Sequence, residues 1–244
     1  MTLRDSEAGA ERRPVRIAVF ASGGGSNLQA ILDHLRGPAG EAARLAVVVS
    51  DKPEAGALER ARRAGVATRV IPVRDRPVDA VAAETLDTLA EAGTDMVALA
   101  GYLRLVPAEV VRAFRGRIVN IHPALLPAFG GKGMYGARVH RAVLDAGCRV
   151  SGATVHLVDE HYDRGPILFQ WPVPVRADDT AETLAARVLR VEHAIYPPTI
   201  EAVARAVAGG EAVRPFRVPD ATTFTLAAGD APDAWQVRRA LGLE

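Results

Sequence analysis

The feature that most limits the fold of this chain is a regular alternation of apolar segments with segments of helical periodicity, which begins after Pro14. The short segments are apolar on both faces, as in strands buried inside a sheet. Parallel strands joined by helices need cover on both faces of the sheet. The pattern therefore predicts an α/β fold with a Rossmann-like, mostly parallel sheet and helices on both faces. The predicted strands are residues 15–22, 45–51, 68–73, 95–102 and 117–123, and the predicted helices are residues 28–35, 55–64 and 78–92.

The pattern changes beyond residue 125. Residues 125–140 are rich in glycine and predict a long binding or active-site loop rather than a connector. Two adjacent strands are predicted at residues 151–160 and 167–175, and a long helix starts near residue 180. The predicted divisions of the chain are a disordered lead at residues 1–14, one domain at residues 15–210 and a C-terminal extension at residues 211–244.

Charge and cysteine content narrow the class of function. The 244 residues carry 30 basic and 29 acidic side chains, so no net field draws the chain to nucleic acid or to a membrane surface. One cysteine, Cys148, excludes an internal disulfide framework and any multi-cysteine metal site. No segment approaches the ~20 apolar residues of a membrane span. We therefore predict a cytoplasmic protein that recognises small molecules.

The segment ASGGGSN ends the first predicted strand and opens the first predicted helix. Free N–H groups and the helix dipole favour a phosphate at such a position. One alternative is a tight, capped turn without a ligand. Another is a dinucleotide site in which Asp51 holds a ribose, but Leu28 stands where that fingerprint has its third glycine. We predict that the phosphate of a small substrate binds to Gly23, Gly24, Gly25, Ser26 and Asn27.

Two polar side chains interrupt the strand in RIVNIHPALLP, residues 117–127. Asn120 and His122 have the same parity, so they project from one face of the strand while Ile121 projects from the other. Both lie at the carboxyl end of the strand, where open α/β sheets bind ligands. An amide and an imidazole there suit a reaction in which negative charge develops on a carbonyl oxygen. The alternative is a capped strand end with a satisfied histidine.

The segment HLVDEHYDRGP, residues 156–166, supplies a third candidate for catalysis. Asp163 precedes a turn into an apolar strand, and its carboxylate near His122 would favour the imidazolium and orient a proton. The alternative is a metal site of a hydrolase built from His156, His161 and Asp163. The chain has no His-x-His or His-Glu-x-x-His pair, and we predict no metal.

These segments, in this order, resemble the glycinamide ribonucleotide formyltransferases, the folate-dependent transformylases of purine synthesis. The resemblance spans roughly residues 15–205, and the segments carry it jointly rather than singly. The matching segments are ASGGGSNLQAI, VSDKPEAGALERARRAG, LAGYLRLV, IVNIHPALLP, GATVHLVDEHYDRGPIL and VEHAIYP.

The resemblance implies a reaction and a set of roles. A formyl group passes from the co-substrate 10-formyltetrahydrofolate to the amine of glycinamide ribonucleotide without a metal. The half at residues 15–115 holds the ribonucleotide, and the half at residues 116–210 holds the folate and the catalytic residues. Asn120, His122 and Asp163 form the catalytic trio. The further implied roles are contact with the glycinamide portion by Glu192, support of the active site by His156, and folate binding by Leu103, Arg104, Leu105, Val106, Val158, Asp159, Glu160 and His161.

Some features depart from the family pattern. Asp51 stands where many members have asparagine, and the loop at residues 130–138 is longer than the common form. A substrate-holding arginine of the family corresponds to Arg74 or Arg76, and the sequence does not distinguish them.

Two alternative functions remain open from the sequence. One is another formyl-folate enzyme, such as a formyl-folate hydrolase or a tRNA or sugar formyltransferase, and the other is a non-catalytic module that binds a sugar phosphate. The oligomeric state is open, with a homodimer as one option.

Overall fold

A computed structural model of the chain describes residues 13–216 and 231–243. Within these ranges seven strands form one sheet and seven α-helices accompany it. The strands are β1 (Val15–Phe20), β2 (Ala43–Ser50), β3 (Ala67–Val70), β4 (Met96–Leu99), β5 (Ile118–His122), β6 (Val150–Leu157) and β7 (Ile167–Pro174). The helices are α1 (Ser26–Leu35), α2 (Gly56–Arg63), α3 (Val78–Glu91), α4 (Ala108–Ala113), α5 (Ala137–Asp145), α6 (Ala181–Gly209) and α7 (Ala234–Ala240).

The order of the strands creates a crevice inside the sheet, between the carboxyl ends of two neighbouring strands. The order is β3-β2-β1-β4-β5-β6-β7. Strands β1 to β5 pair in parallel, whereas β6 pairs antiparallel with β5 and with β7. The chain runs outward from β1 to β3 and then crosses to β4, so the carboxyl ends of β1 and β4 flank a topological switch point. The predicted Rossmann-like, mostly parallel sheet is confirmed.

Alternate residues of the central strand β1 enter the two cores of the protein. Ile17 and Val19 pack in a core that includes α1 and α6, while Ala18 and Phe20 pack in a core that includes α3 and α4. All four side chains are buried. Because both faces of β1 are covered, its sequence from Ile17 to Phe20 is apolar at every position, which explains why the pattern located this strand.

Helix α6 ties the sheet together over 29 residues. It continues through Pro197 and Pro198, although proline removes a backbone donor from a helix. The buried hydroxyl of Tyr196 lies 2.9 Å from the carbonyl oxygen of Leu99 and 3.2 Å from that of Val119. This contact fixes the middle of α6 to β4 and β5, and it satisfies a phenol group that would be costly to bury alone.

Three helices lie where the sequence pattern predicted none. Helix α5 begins inside the segment predicted as a loop, α4 is only six residues long, and α7 lies in the C-terminal extension. Helix α7 starts with a capping box, in which the Asp233 carboxylate accepts the N–H of Gln236 and the Gln236 side chain accepts the N–H of Asp233. Helices α4 and α7 offer too few turns for a periodic signal, and the signal of α5 is hidden by the glycine-rich segment in which it begins.

The predicted terminal segments of the chain are described only in part. Residues 1–12 of the predicted disordered lead, and residues 217–230 and 244 of the predicted extension, lie outside the described residues. Within the described ranges, no helix combines the length and apolar character that crossing a membrane requires. The division of the chain at residues 14 and 210 and the cytoplasmic location stay predictions.

A buried carboxylate fastens the C-terminal helix to the domain. Glu201 of α6 is fully buried and receives His34 of α1 at 2.9 Å, Arg205 at 2.8 Å and Arg238 of α7 at 3.1 Å. Burial alone raises the pKa of Glu201, but the hydrogen bonds from Arg205 and His34 and the charge of Arg238 outweigh it. The pKa of Glu201 therefore lies below its ordinary value.

We expect Glu201→Gln to lower the free energy of unfolding by about 2 kcal/mol, because it removes the charge of the buried carboxylate that pairs with His34, Arg205 and Arg238. Thermal unfolding at neutral pH measures the loss, which should shrink as the pH falls below the pKa of an unfolded glutamate, since only the ionised carboxylate stabilises the native protein. The control is Glu109→Gln, which breaks an exposed pair with Arg112 and should cost under about 1 kcal/mol. Equal losses in the two variants would contradict this assignment.

Candidate active site

The largest cavity described here, of 650 Å³, opens at the carboxyl ends of β4 and β5. Its walls come from the two strand ends, the loop before α5, the start of α5, the loop after β6 and one face of α6. The predicted site residues that line it are Asn27, Leu103, Arg104, Asn120, His122, Asp163 and Glu192. The structure thus brings all three predicted catalytic residues into one cavity, together with two of the predicted substrate-binding residues and two of the predicted folate-binding residues.

The amide of Asn120 is oriented by His156. The Nδ1 atom of His156 lies 2.7 Å from the carbonyl oxygen of Leu157, so Nδ1 must carry the proton in the neutral ring. The Nε2 atom is then an acceptor, and Asn120 Nδ2 donates to it over 3.0 Å. This leaves one N–H of Asn120 free for a ligand in the cavity.

Both ring nitrogens of His122 face acceptors. Nε2 lies 2.8 Å from the carbonyl oxygen of Phe129, to which it donates, and Nδ1 lies 3.6 Å from Asp163 Oδ2. Burial lowers the pKa of His122, and the Asp163 charge and the Phe129 hydrogen bond, which raise it, do not compensate. The carboxylate favours the imidazolium, as the sequence indicated, but the buried ring is neutral in the free protein near neutral pH.

Asp163 is held in place by the glycine-rich loop. Its backbone has a φ of 55°, an uncommon conformation outside glycine and asparagine, and the N–H of Gly131 donates to its Oδ2 over 2.9 Å. Burial raises the pKa of Asp163, but the His156 ring, the charge that His122 carries when it is protonated, and the Gly131 N–H together lower it by more, so the net shift is downward. Asp163 is therefore an ionised carboxylate beside His122.

Glu192 lies on α6, in the wall of the cavity. It is 8% exposed and accepts a hydrogen bond of 2.7 Å from Asn27 Nδ2. Burial raises the pKa of Glu192 to about 7, and the single Asn27 hydrogen bond only partly offsets this effect. Among the described residues, the buried Oδ1 of Asn27 has no hydrogen-bond partner. Asn27 and Glu192 therefore form a hydrogen-bonded pair in the lining of the cavity.

The predicted phosphate turn lies between β1 and α1. Gly25 has a φ of 76°, and a Cβ there would lie 2.7 Å from Ala57 Cα, so this position requires glycine. Helix α1 begins at Ser26, which leaves its first N–H groups free at the turn. Asn27 lines the 650 Å³ cavity, whereas Gly24 lines a neighbouring cavity of 410 Å³.

Most of the predicted folate residues surround a small cavity of 60 Å³ next to the main one. Its lining includes Arg104, Leu105, Val106, Val158, Asp159 and His161, together with Asn120, His156 and Asp163. Leu103 and Leu105 are large apolar side chains that remain exposed, at 41% and 45%. Exposed apolar side chains beside a cavity fit a surface that a ligand covers. Glu160 lies outside both linings and pairs with Arg115.

The three residues whose roles the sequence left open, Asp51, Arg74 and Arg76, each pair with an oppositely charged side chain. Asp51 has a buried side chain and accepts a hydrogen bond of 2.8 Å from Arg104 Nε. Arg76 pairs with Glu84 at 2.7 Å. Arg74 is exposed beside Asp75. Neither Arg74 nor Arg76 belongs to the described lining of the main cavity.

His140 and the loop residues Lys132, Met134 and Tyr135 line the main cavity, although the sequence assigned them no role. His140 is buried, and burial together with the charge of His122 lowers its pKa to about 4. Its position on α5 could be found only by recognising that helix, which begins inside a glycine-rich segment. Within the described part of the chain, no group of three or more acidic, histidine or cysteine side chains forms a metal-binding cluster.

Comparison with known proteins identifies the family. The sequence model described as formyl transferase matches residues 15–200. The chain is 49% identical over 193 residues to the chloroplastic phosphoribosylglycinamide formyltransferase of Vigna unguiculata, covering 78% of this chain but only 61% of that relative. It is 37% identical over 187 residues to the phosphoribosylglycinamide formyltransferase of Bacillus subtilis, covering 76% of this chain and 93% of the relative.

Solved structures agree with these relatives. The crystal structure of glycinamide ribonucleotide transformylase 1 from Symbiobacterium toebii superimposes with a TM-score of 0.71 at 45% identity, covering 80% of this chain and 89% of that chain. Residues 15–200, which the family model matches, contain all seven strands of the described sheet as well as Asn120 and His122. The chain belongs to the formyl transferase family.

Proposed function

We propose that the protein transfers a formyl group from 10-formyltetrahydrofolate to the amine of 5′-phosphoribosylglycinamide, in purine biosynthesis. The observation that carries this proposal is the convergence of Asn120, His122, Asp163 and Glu192 on one cavity at the carboxyl ends of β4 and β5. The names of the relatives from Bacillus subtilis and Vigna unguiculata support the same reaction. The products are the N-formyl ribonucleotide and tetrahydrofolate.

Asn120 is the group that we assign to the oxyanion. When the amine adds to the formyl carbon, the carbonyl electrons move to oxygen and a tetrahedral oxyanion forms. The free N–H of Asn120 can donate to that oxygen, because His156 already holds the other N–H. A donor fixed before the reaction needs no reorganisation when the charge develops.

His122 and Asp163 form the path that we assign to the proton. The attacking amine must lose a proton, and the folate nitrogen must gain one as its bond to the formyl carbon breaks. The distance of 3.6 Å between His122 Nδ1 and Asp163 Oδ2 exceeds that of a hydrogen bond. A water molecule or the amine itself can bridge these atoms. Transfer to neutral His122 then forms an imidazolium that the Asp163 carboxylate stabilises.

The two ends of the cavity suit the two substrates. Glu192, oriented by Asn27, offers an acceptor to the donors of the ribonucleotide, and the N–H groups of the glycine turn offer donors to its phosphate. The exposed apolar side chains Leu103 and Leu105 lie at the end assigned to the folate. In this proposal residues 15–115 supply the phosphate-binding turn, and residues 116–210 supply the catalytic groups and Glu192.

The test of this function is a direct assay with glycinamide ribonucleotide and 10-formyltetrahydrofolate, in which the appearance of deformylated folate is followed by absorbance. We expect turnover that requires the ribonucleotide and that Asp163→Asn abolishes while leaving ribonucleotide binding intact. Deformylation at the same rate without ribonucleotide would instead indicate a formyl-folate hydrolase. The absence of turnover with both chelator-treated and untreated protein would reject the proposal.

We expect Asn120→Ala to lower kcat by about a hundredfold, the usual cost of removing one preorganised oxyanion donor. KM for each substrate should change little, because the lost interaction forms only in the transition state. Steady-state kinetics measures both constants. The control is the conservative Ile118→Val, also on β5, whose side chain is buried in the core outside the lining of the main cavity and which should keep kcat within about threefold. A raised KM with an unchanged kcat would assign Asn120 to ground-state binding instead.

We expect KM for the ribonucleotide to rise as the pH falls below about 7, because the pKa of Glu192 is raised to about 7 and only its ionised form accepts hydrogen bonds with both oxygens. The variant Glu192→Gln should have a high KM that lacks this transition. KM for formyl-folate, measured in the same pH series, is the internal control. A transition of the same size in Glu192→Gln would assign the titration to the substrate phosphate.

A further inference from the structure

The turn that precedes α1 is oriented by donors from α2. The carbonyl oxygen of Gly23 accepts the N–H of Ala57 over 3.1 Å, and the carbonyl oxygen of Gly24 accepts Nε–H of Arg60 over 2.8 Å. Gly23 and Gly24 are exposed, and nothing lies within 4 Å of the position of a Cβ on either. No side chain of either residue restrains the turn, and the hydrogen bonds from α2 orient its two carbonyl groups.

The direction of the Gly24 carbonyl determines where the next N–H points. In a trans peptide, the C=O of one residue and the N–H of the next point in opposite directions. With its carbonyl bound to Arg60, the peptide after Gly24 directs the N–H of Gly25 away from α2. Glycine permits this peptide to turn over at little conformational cost. A turned peptide would present a carbonyl oxygen where an anion needs a donor.

Arg60 is itself held between two helices. Besides its bond to Gly24, its Nη1 donates to Gln29 Oε1 over 3.1 Å, and Gln29 Nε2 donates to Asp33 over 3.0 Å. The guanidinium thus bridges α2 to the first turns of α1. A planar, forked donor group can hold two acceptors at fixed angles, which lysine cannot do.

We propose that Arg60 is a positioning residue for the substrate phosphate: it fixes the Gly24–Gly25 peptide so that the N–H of Gly25 faces the anion. This inference rests on the proposed function, and it assigns phosphate affinity to a side chain outside the 650 Å³ cavity. Arg60 lines the neighbouring cavity of 410 Å³ instead. It acts through the backbone of the turn rather than through contact with the reacting atoms.

Arg63 provides a matched control. It lies on the same helix and lines the same 410 Å³ cavity, but its Nε donates to Glu59 over 2.8 Å. Arg60→Met and Arg63→Met therefore remove the same charge from the same cavity, and only the first removes a hydrogen bond to the turn. The comparison separates orientation of the peptide from the general attraction of an anion to basic side chains.

The first measurement is a titration of the ¹⁵N-labelled full chain with inorganic phosphate, followed through the amide signals of Gly24, Gly25 and Ser26. We expect saturable shifts in the wild type, a Kd raised about tenfold in Arg60→Met, and a Kd within about twofold of wild type in Arg63→Met. The dispersed amide spectrum of each variant shows that it is folded. Equal weakening in both variants, no weakening in Arg60→Met, or no shift in the wild type would overturn the proposal.

The second measurement is steady-state kinetics with both substrates. We expect Arg60→Met to raise KM for the ribonucleotide about tenfold with kcat and KM for formyl-folate within about twofold. A fall in kcat with an unchanged KM would overturn the positioning role. If the wild type shows the phosphate shifts but does not turn over glycinamide ribonucleotide, the proposed function fails and the role of Arg60 in anion binding stands.

Discussion

The antiparallel pairing of β5 with β6 is the constraint on which the catalytic site depends. The register places Asn120 opposite His156 and His122 opposite Thr154. Because side chains alternate between the faces of a strand, all four project to the same side of the sheet. A slip of one residue would turn Asn120 and His122 to the other face of the strand and put apolar side chains in their place. The apolar character of Ile121 and Val119, which must stay in the core, therefore protects the geometry of the site.

Burial shifts the pKa values of the ionisable groups in the cavity in different directions, because each group has different neighbours. Asp163 receives a backbone N–H and lies beside two imidazoles, so its pKa falls despite burial. Glu192 receives only the Asn27 amide, and burial raises its pKa to about 7. His122 has a carboxylate neighbour, yet burial lowers its pKa. Groups whose surroundings push their pKa values apart can take different parts in proton transfer and binding.

The sequence predicted what periodicity controls. The parity of Asn120 and His122 and the position of the glycine turn follow from a strand repeat of two and from a strand-to-helix transition, and both need only neighbouring residues. The parts that it did not predict depend on loop backbone or on contacts distant in sequence. The Phe129 carbonyl that holds His122 and the φ of Asp163 belong to irregular loops. The docking of α7 depends on Glu201 and Arg238, which no local pattern connects.

Helix α6 joins the two halves of the site into one rigid unit. Glu192 and Tyr196 are four residues apart, so they lie on the same face of the helix, one turn from each other. Glu192 holds Asn27 at the start of α1, and Tyr196 lies against the backbone of Leu99 and Val119. The distance between the glycine turn and the strand that carries Asn120 is thereby fixed through one helix. The rate of a group transfer between two bound substrates depends on such a fixed distance between their binding sites, since misplacement by about 1 Å can cost a hundredfold in rate.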